Sequence, residues 1–311
     1  MQQIKVGETT VDQVTEIPLQ WIDAKYFFPN ITDEIIAKQR KALGPLFIHP
    51  EEDQVGLSFH GFLVQAHGKN IIVDTCNGNH KTRLPAQPWQ HMLDRPDYLE
   101  NLAALGVGPE DIDFVITTHL HTDHLGWNTT LVDGEWVPTF PNARYLVVRD
   151  EFGHNKRLHD SNPPKPVLRG TFADSVLPVV DAGLVDFVDV DHVVVGKVGN
   201  GIWLEPTIGH TRGHVIVHVA DAQEEVVIAG DLLVHPLHIV EPALVNPGDW
   251  DPDIARATRE RIFSRYADTG TTLLPIHFPS PTGVRITRAG NGFGFHFAET
   301  EESEVALSPP A

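Results

Sequence analysis

Three short apolar runs, far apart in the chain, each stop on an imidazole or a carboxylate. "DFVITTH" ends at His119, "EEVVIAGD" at Asp231 and "TTLLPIH" at His277. Short apolar, β-branched runs of this kind read as buried strands. A fourth segment, "TIGHTRGHV", enters the alternating strand "GHVIVHVAD" at His214. Side chains at one edge of neighbouring strands converge even when they are distant in sequence. The four segments therefore restrict the chain to folds that bring these strand ends to a common edge. Between them lie single helices, "RPDYLENLAALGV" and "DPDIARATRERIFSRYADTG", with helix-starting Pro96 and Asp251 or Asp253. Strands mixed with single helices predict a layered α/β protein.

The stretch "HLHTDH" concentrates the chemistry. His119 and His121 are two apart, so in extended chain they point the same way and can grip one ion. Asp123 and His124 follow after the chain turns and can reach a second. Imidazole and carboxylate without thiolate suit borderline divalent ions, zinc first, with iron, cobalt or manganese as alternatives. The single cysteine, Cys76, excludes an intrachain disulfide and any CxxC knuckle, and it reads as a buried structural thiol.

HxHxDH, then GHTxGH, then an aspartate after an apolar strand, then a late histidine, in this order from Asp74 to about Ile286, resemble the metallo-β-lactamase superfamily. The resemblance implies an αββα sandwich with the metal site at one edge of two packed sheets. It implies that His119, His121 and His214 bind one ion, that Asp123, His124 and His277 bind a second, and that Asp231 bridges them. Asp74 matches an aspartate that orients a ligand histidine from behind, and His210 is read as supporting the ligand loop rather than binding metal. The implied reaction is metal-assisted hydrolysis, with Asp123 and Asp231 as the catalytic carboxylates. "AGDLLVHPLHIVEP" and "HFPSPTGVRI" are most similar to the branch containing methyl parathion hydrolase and several lactonases. That implies a small, largely apolar ester or lactone as substrate, with an organophosphate triester as the alternative. A mononuclear iron dioxygenase is a further alternative, because persulfide dioxygenases share many of these motifs. Some lactonases of the branch carry a tyrosine where this chain has Val234, so His235 or His238 is expected to replace it.

Trp127, Phe152 and Phe278 are expected to wall an apolar pocket. "WIDAKYFFPN", within an N-terminal extension of about 55 residues, reads either as a lid or as a segment packed on the core. The net charge of −19 disfavours nucleic acid and anionic membrane as partners. No apolar run approaches the roughly 20 residues of a membrane span, and the first twenty residues lack the pattern of a signal peptide. The expectation is a single cytoplasmic domain over residues 1–311 acting on a small molecule. By analogy with the resembled branch, a homodimer fits.

Overall fold

The structure is a computed structural model that describes residues 3–298. The first sheet is built from β1 (Ile4–Val6), β2 (Thr9–Asp23), β3 (Gln54–Ala66), β4 (Lys69–Val73) and β5 (Phe114–Ile116). A hairpin, β6 (Thr129–Val132) and β7 (Glu135–Pro138), stands apart before β8 (Arg144–Val148) and β9 (Val185–Val188) complete the sheet in the order β1-β2-β3-β4-β5-β8-β9. The second sheet runs in sequence order through β10 (Val193–Lys197), β11 (Asn200–Pro206), β12 (Val215–Ala220), β13 (Glu225–Gly230), β14 (Thr272–Pro275), β15 (Val284–Ala289) and β16 (Gly292–Phe297). The helices are α1 (Ala24–Phe27), α2 (Asp33–Leu43), α3 (Asp97–Ala104), α4 (Arg149–Asp160), α5 (Leu177–Asp181), α6 (Leu237–Val240) and α7 (Pro252–Tyr266).

Strand periodicity explains the layering. In β3, Phe62 and Val64 face inward and meet Val215, Val217 and Ile228 of the second sheet in one core cluster. Leu63, between them, faces outward and packs with Tyr98 and Leu102 of α3. In β12, Ile216 likewise turns outward to Ile262 and Phe263 of α7. Each sheet is apolar on both faces, the inner against its partner and the outer against helices. The αββα sandwich implied by the resemblance is the observed fold. Among the described residues no helix is long and apolar enough to cross a membrane.

Residues 4–23 form strands of the first sheet, with β2 paired to β3 from Thr10–Gln65 to Asp23–Gln54. The N-terminal segment is thus integral to the sheet, and its far end carries α1 towards the site. The single-domain expectation also spans residues 1–2 and 299–311, which lie outside the described residues.

Parallel pairing decides where the functional side chains meet. β4 pairs parallel with β5, and β13 with β14. The chain therefore leaves all four strands at the same edge, carrying Asp74, His119, Asp231 and His277 there. Two backbone bonds stitch the sheets together at that edge, Val215 N–H to the Thr118 carbonyl (3.0 Å) and Ser58 N–H to the His277 carbonyl (2.9 Å).

Candidate metal centre

Two groups of ligand-type atoms form at the shared edge. One comprises His119, His121, His210 and Asp231, the other Asp123, His124 and His277, each with its atoms within 4.8 Å of one another. Asp231 stands between them. Its Oδ2 lies 3.1 Å from His210 Nε2 and 3.9 Å from His119 Nε2. Its Oδ1 lies 3.1 Å from His277 Nε2 and 3.3 Å from His124 Nε2. Asp123 contacts His277 Nε2 at 3.8 Å and His124 Nε2 at 4.0 Å, so the second group closes on itself.

Several of these atoms lack the hydrogen bonds that buried polar atoms normally make. His119 Nε2, His124 Nε2 and Asp231 Oδ1 are buried without a hydrogen-bond partner. Converging imidazole nitrogens and carboxylate oxygens left unpaired in a buried spot are the donor set of a divalent cation. The residues present fit two such ions.

Three of the histidines are aimed by a bond on the other ring nitrogen. His124 Nδ1 lies 2.8 Å from Asp74 Oδ2, and Asp74 also accepts from Thr118 N (2.8 Å) and Thr118 Oγ1 (2.6 Å). Asp74 performs the orienting role expected of it, and does so from a left-handed backbone position with φ 58°. His277 Nδ1 donates to the Ser58 carbonyl at 3.0 Å. His210 Nδ1 donates to Asp249 Oδ1 at 2.8 Å, and Asp249 Oδ2 lies 3.7 Å from the buried Arg259.

Burial is the largest influence on His119 and His121 and holds both well below the usual imidazole range, neutral and able to ligate. Burial pulls His210 down too, but the Asp231 and Asp249 carboxylates outweigh it and raise it to about 9. At His124, Asp231 and Asp74 outweigh burial in the same way.

The sequence from residue 60 to residue 265 matches the description of the metallo-β-lactamase superfamily. The chain belongs to that superfamily. A Mycobacterium bovis protein named a "probable metallo-hydrolase" is 26% identical over 200 residues, and the match spans 58% of this chain and 58% of the relative's length. Among solved structures, one described as a hydrolase, AbOPH, in the beta lactamase superfamily superposes with a TM-score of 0.76 at 23% identity, covering 94% of this chain and 95% of that one. The structure of AidC, described as a dizinc quorum-quenching lactonase in complex with a product, gives a TM-score of 0.70 at 21% identity over 95% and 96% of the two chains.

One residue expected as a ligand lies outside both groups. His214 does not join either group. Its Nε2 accepts the Asp231 backbone N–H at 3.0 Å, and its Nδ1 lies 2.7 Å from Thr207 Oγ1. Burial pushes His214 down to about 3, so the ring is neutral. A neutral ring that accepts at Nε2 carries its proton on Nδ1 and donates it to Thr207. No lone pair is left for a metal. His210 stands in the first group instead, with its Nε2 2.9 Å from His121 Nδ1.

The two glycines of the motif explain this exchange. A Cβ on Gly213 would meet Glu151 at 2.8 Å, and Gly213 N–H bonds Glu151 Oε2 at 2.7 Å, which draws the His214 segment into the core. Gly209, at φ 137°, sits so close to the start of α7 that a Cβ would collide with Ala255. That contact leaves the next residue, His210, turned towards the centre.

A cavity of about 320 Å³ opens on His121, Asp123, His210, Asp231 and His277. None of the five side chains expected to wall it does so. Trp127 is buried in the core under α3 and donates to Glu16 at 2.8 Å. Phe152 packs on Phe172 and Phe187, and Phe278 on Phe47. His235 is buried with its Nε2 on the Phe47 carbonyl at 3.0 Å, and His238 is buried against Phe28. The wall instead comes from Ile22, Tyr26 and Phe27 around α1, from Leu57 and Phe59 of β3, and from loops bearing Trp89, Arg169 and Asn246. Of "WIDAKYFFPN", Phe28 belongs to the core while Tyr26 and Phe27 face the cavity. Val234 also lines the cavity.

Proposed function

We propose that the protein is a metal-dependent hydrolase with two divalent ions, zinc first, that opens small esters or lactones rather than acting on nucleic acid or membrane. The observation that carries this reading is Asp231, whose two oxygens each face a different histidine group. His119, His121 and His210 would hold one ion, Asp123, His124 and His277 the other, and Asp231 would serve both. When bound, such ions polarise a carbonyl and bring the pKa of water towards neutrality.

The chain's own residues supply position and exclusion. Ile22, Leu57, Phe59 and Val234 present hydrocarbon to the substrate beside the centre, which favours an apolar acyl or ring portion. Asp123, with its carboxylate 19% exposed at the cavity, is placed to pass a proton from the attacking water to the leaving oxygen. The balance is simple: the acyl–oxygen bond breaks, the water oxygen joins the acyl carbon, and one proton goes to the leaving oxygen. The likeness in fold to a lactonase described as dizinc supports both the ion count and the substrate class.

Zinc-loaded protein assayed against lactones, aryl esters and a phosphotriester tests the reading. Turnover of a lactone or ester is expected, with Asp231→Asn lowering kcat/KM by about a thousandfold or more. Turnover of the phosphotriester alone would replace the substrate class. Oxygen consumption with a single iron and no hydrolysis would overturn the proposal.

A further inference from the structure

The apolar cavity contains one feature that a purely hydrocarbon substrate does not use. Arg169 is the only lining side chain, among the described residues, that carries a fixed positive charge. Unlike Arg83, which pairs bidentately with Asp174, it has no carboxylate partner among the described residues. Its one side-chain bond runs from Nη1 to Gln90 Oε1 at 3.0 Å, and Gln90 also lines the cavity. A neutral amide oxygen fixes the guanidinium without neutralising it.

The backbone beneath Arg169 is held in a costly conformation. Leu168 (φ 50°, ψ 43°) and Arg169 (φ 54°, ψ 26°) are consecutive left-handed residues with side chains. Such residues persist only where surrounding contacts over-determine them. One such contact comes from the metal-ligand loop itself, where Thr122 Oγ1 donates to the Leu168 carbonyl at 3.3 Å. The strained kink thus ties the position of Arg169 to that of His121 and Asp123. Ile22, Tyr26, Phe27, Leu57 and Trp89 line the same cavity. The cavity thus combines candidate metal ligands, apolar wall and one guanidinium.

We propose that Arg169 anchors a carboxylate that the substrate carries in addition to its scissile ester or lactone group, so that the preferred substrates are esters or lactones bearing a free carboxylate. This rests on the hydrolase reading for the bond that is cleaved, but not for the ligand that is bound. A guanidinium is suited to the role because it presents parallel N–H donors to a carboxylate and stays charged at all working pH values. Gln90 is the positioning residue that holds it.

The test uses binding as well as turnover. The metal-loaded full chain is titrated calorimetrically with α,ω-dicarboxylates of increasing length, each beside the monocarboxylate of equal length. Both members of a pair offer one carboxylate to the metal end, so their difference reads the second contact. At a length that spans the cavity, the dicarboxylate is expected to bind about tenfold to a hundredfold more tightly, the range of a hydrogen-bonded charged contact. Arg169→Gln should bring the pair to within about twofold, and Arg169→Lys should restore part of the preference. Absence of a preference at every length, or a preference that survives Arg169→Gln, would overturn the proposal. Half-esters of the same diacids then separate the two readings. A binding preference without any ester cleavage would count against the hydrolase reading alone. Cleavage of neutral and acidic esters without discrimination would count against Arg169 alone.

Discussion

At the residue scale, the centre depends on which nitrogen of each histidine is already engaged. Asp74, Asp249 and the Ser58 carbonyl each take one nitrogen of a ligand and leave the other facing inward. His214 has both nitrogens engaged outside the two groups, one with the Asp231 backbone and one with Thr207, whereas His210 Nε2 faces His121 and the Asp231 carboxylate within the first group. This difference predicts opposite outcomes for two substitutions in one motif. His210→Ala should lower bound zinc from two equivalents to one. His214→Gln, which keeps an acceptor near the Asp231 N–H, should retain both ions with affinity weakened by no more than about 10–100-fold, as for other orienting residues. Zinc content after dialysis against a weak chelator reads the result, and the reverse pattern would restore His214 as the ligand.

The same scale explains why the pocket was not legible in the sequence. Trp127 and Phe278 stand close to ligands in the chain, but successive side chains of extended backbone point to opposite sides, so Phe278 turns away from the direction His277 takes. The cavity wall is drawn from the end of β2, from α1, from the start of β3 and from several loops, and no single hydrophobic period marks these as one surface. Asp249 was hidden for a similar reason, since it lies 39 residues beyond His210 in a loop that approaches only in the fold.

At the scale of elements, the strands carrying ligands were legible because buried strands leave a plain apolar signature and stop on polar residues. Glu16 shows what that signature omits. The β2–β3 register shifts between Thr15 and Ile17, so Glu16 escapes the alternation of its strand. It is fully buried, and its carboxylate accepts from Asn77 N, Asn77 Nδ2, Gly78 N and Trp127 Nε1 at 2.8–3.0 Å. It thereby holds together the loops after β4 and after the HxHxDH segment. Those loops cross where Gly126 meets Asn77 and Gly78 so closely that any Cβ on Gly126 would collide with the Asn77 backbone. Gly126→Ala should therefore cost about 3 kcal/mol or more, because backbone rather than a flexible side chain must yield. Chemical denaturation measures it, and a loss below about 0.5 kcal/mol, typical of a surface change, would refute the close crossing.

The outer face of the second sheet carries a separate pH-dependent contact. His218 stacks on its cross-strand neighbour Trp203 at 4.6 Å, with Nδ1 2.8 Å from Glu225 and Nε2 3.1 Å from Glu205. Only the protonated ring can donate to both carboxylates. Burial lowers its pKa, but the two carboxylates together raise it above the ordinary value. The stabilisation is therefore complete below the unfolded pKa of about 6.5 and is lost as pH rises through the higher folded value. His218→Gln should cost about 1.5–3 kcal/mol near pH 6 and less near pH 9. An equal cost at both would show that the ring is not charged in the folded protein.

At the scale of the whole molecule, two sheets packed face to face bring strand ends from residues 74 to 277 to one edge, and that edge is where both ligand groups form. The acidic chain, net −19, gathers five histidines and two aspartates at that edge. The convergence of the strand ends was readable in the sequence, and six of the seven residues that the family resemblance named as ligands lie in the two groups. His210 stands in the first group where His214 was expected, a choice between two histidines of GHTxGH that motif spacing does not make.

In the proposed function Asp231 joins two ligand groups, each of which would hold its own ion. Metal equivalents per chain, measured by elemental mass spectrometry on purified protein reconstituted with zinc and freed of excess, test it most directly. Two equivalents are expected in the native protein, with a loss of tightly bound metal in Asp231→Ala. One equivalent in the native protein, unchanged by Asp231→Ala, would contradict it.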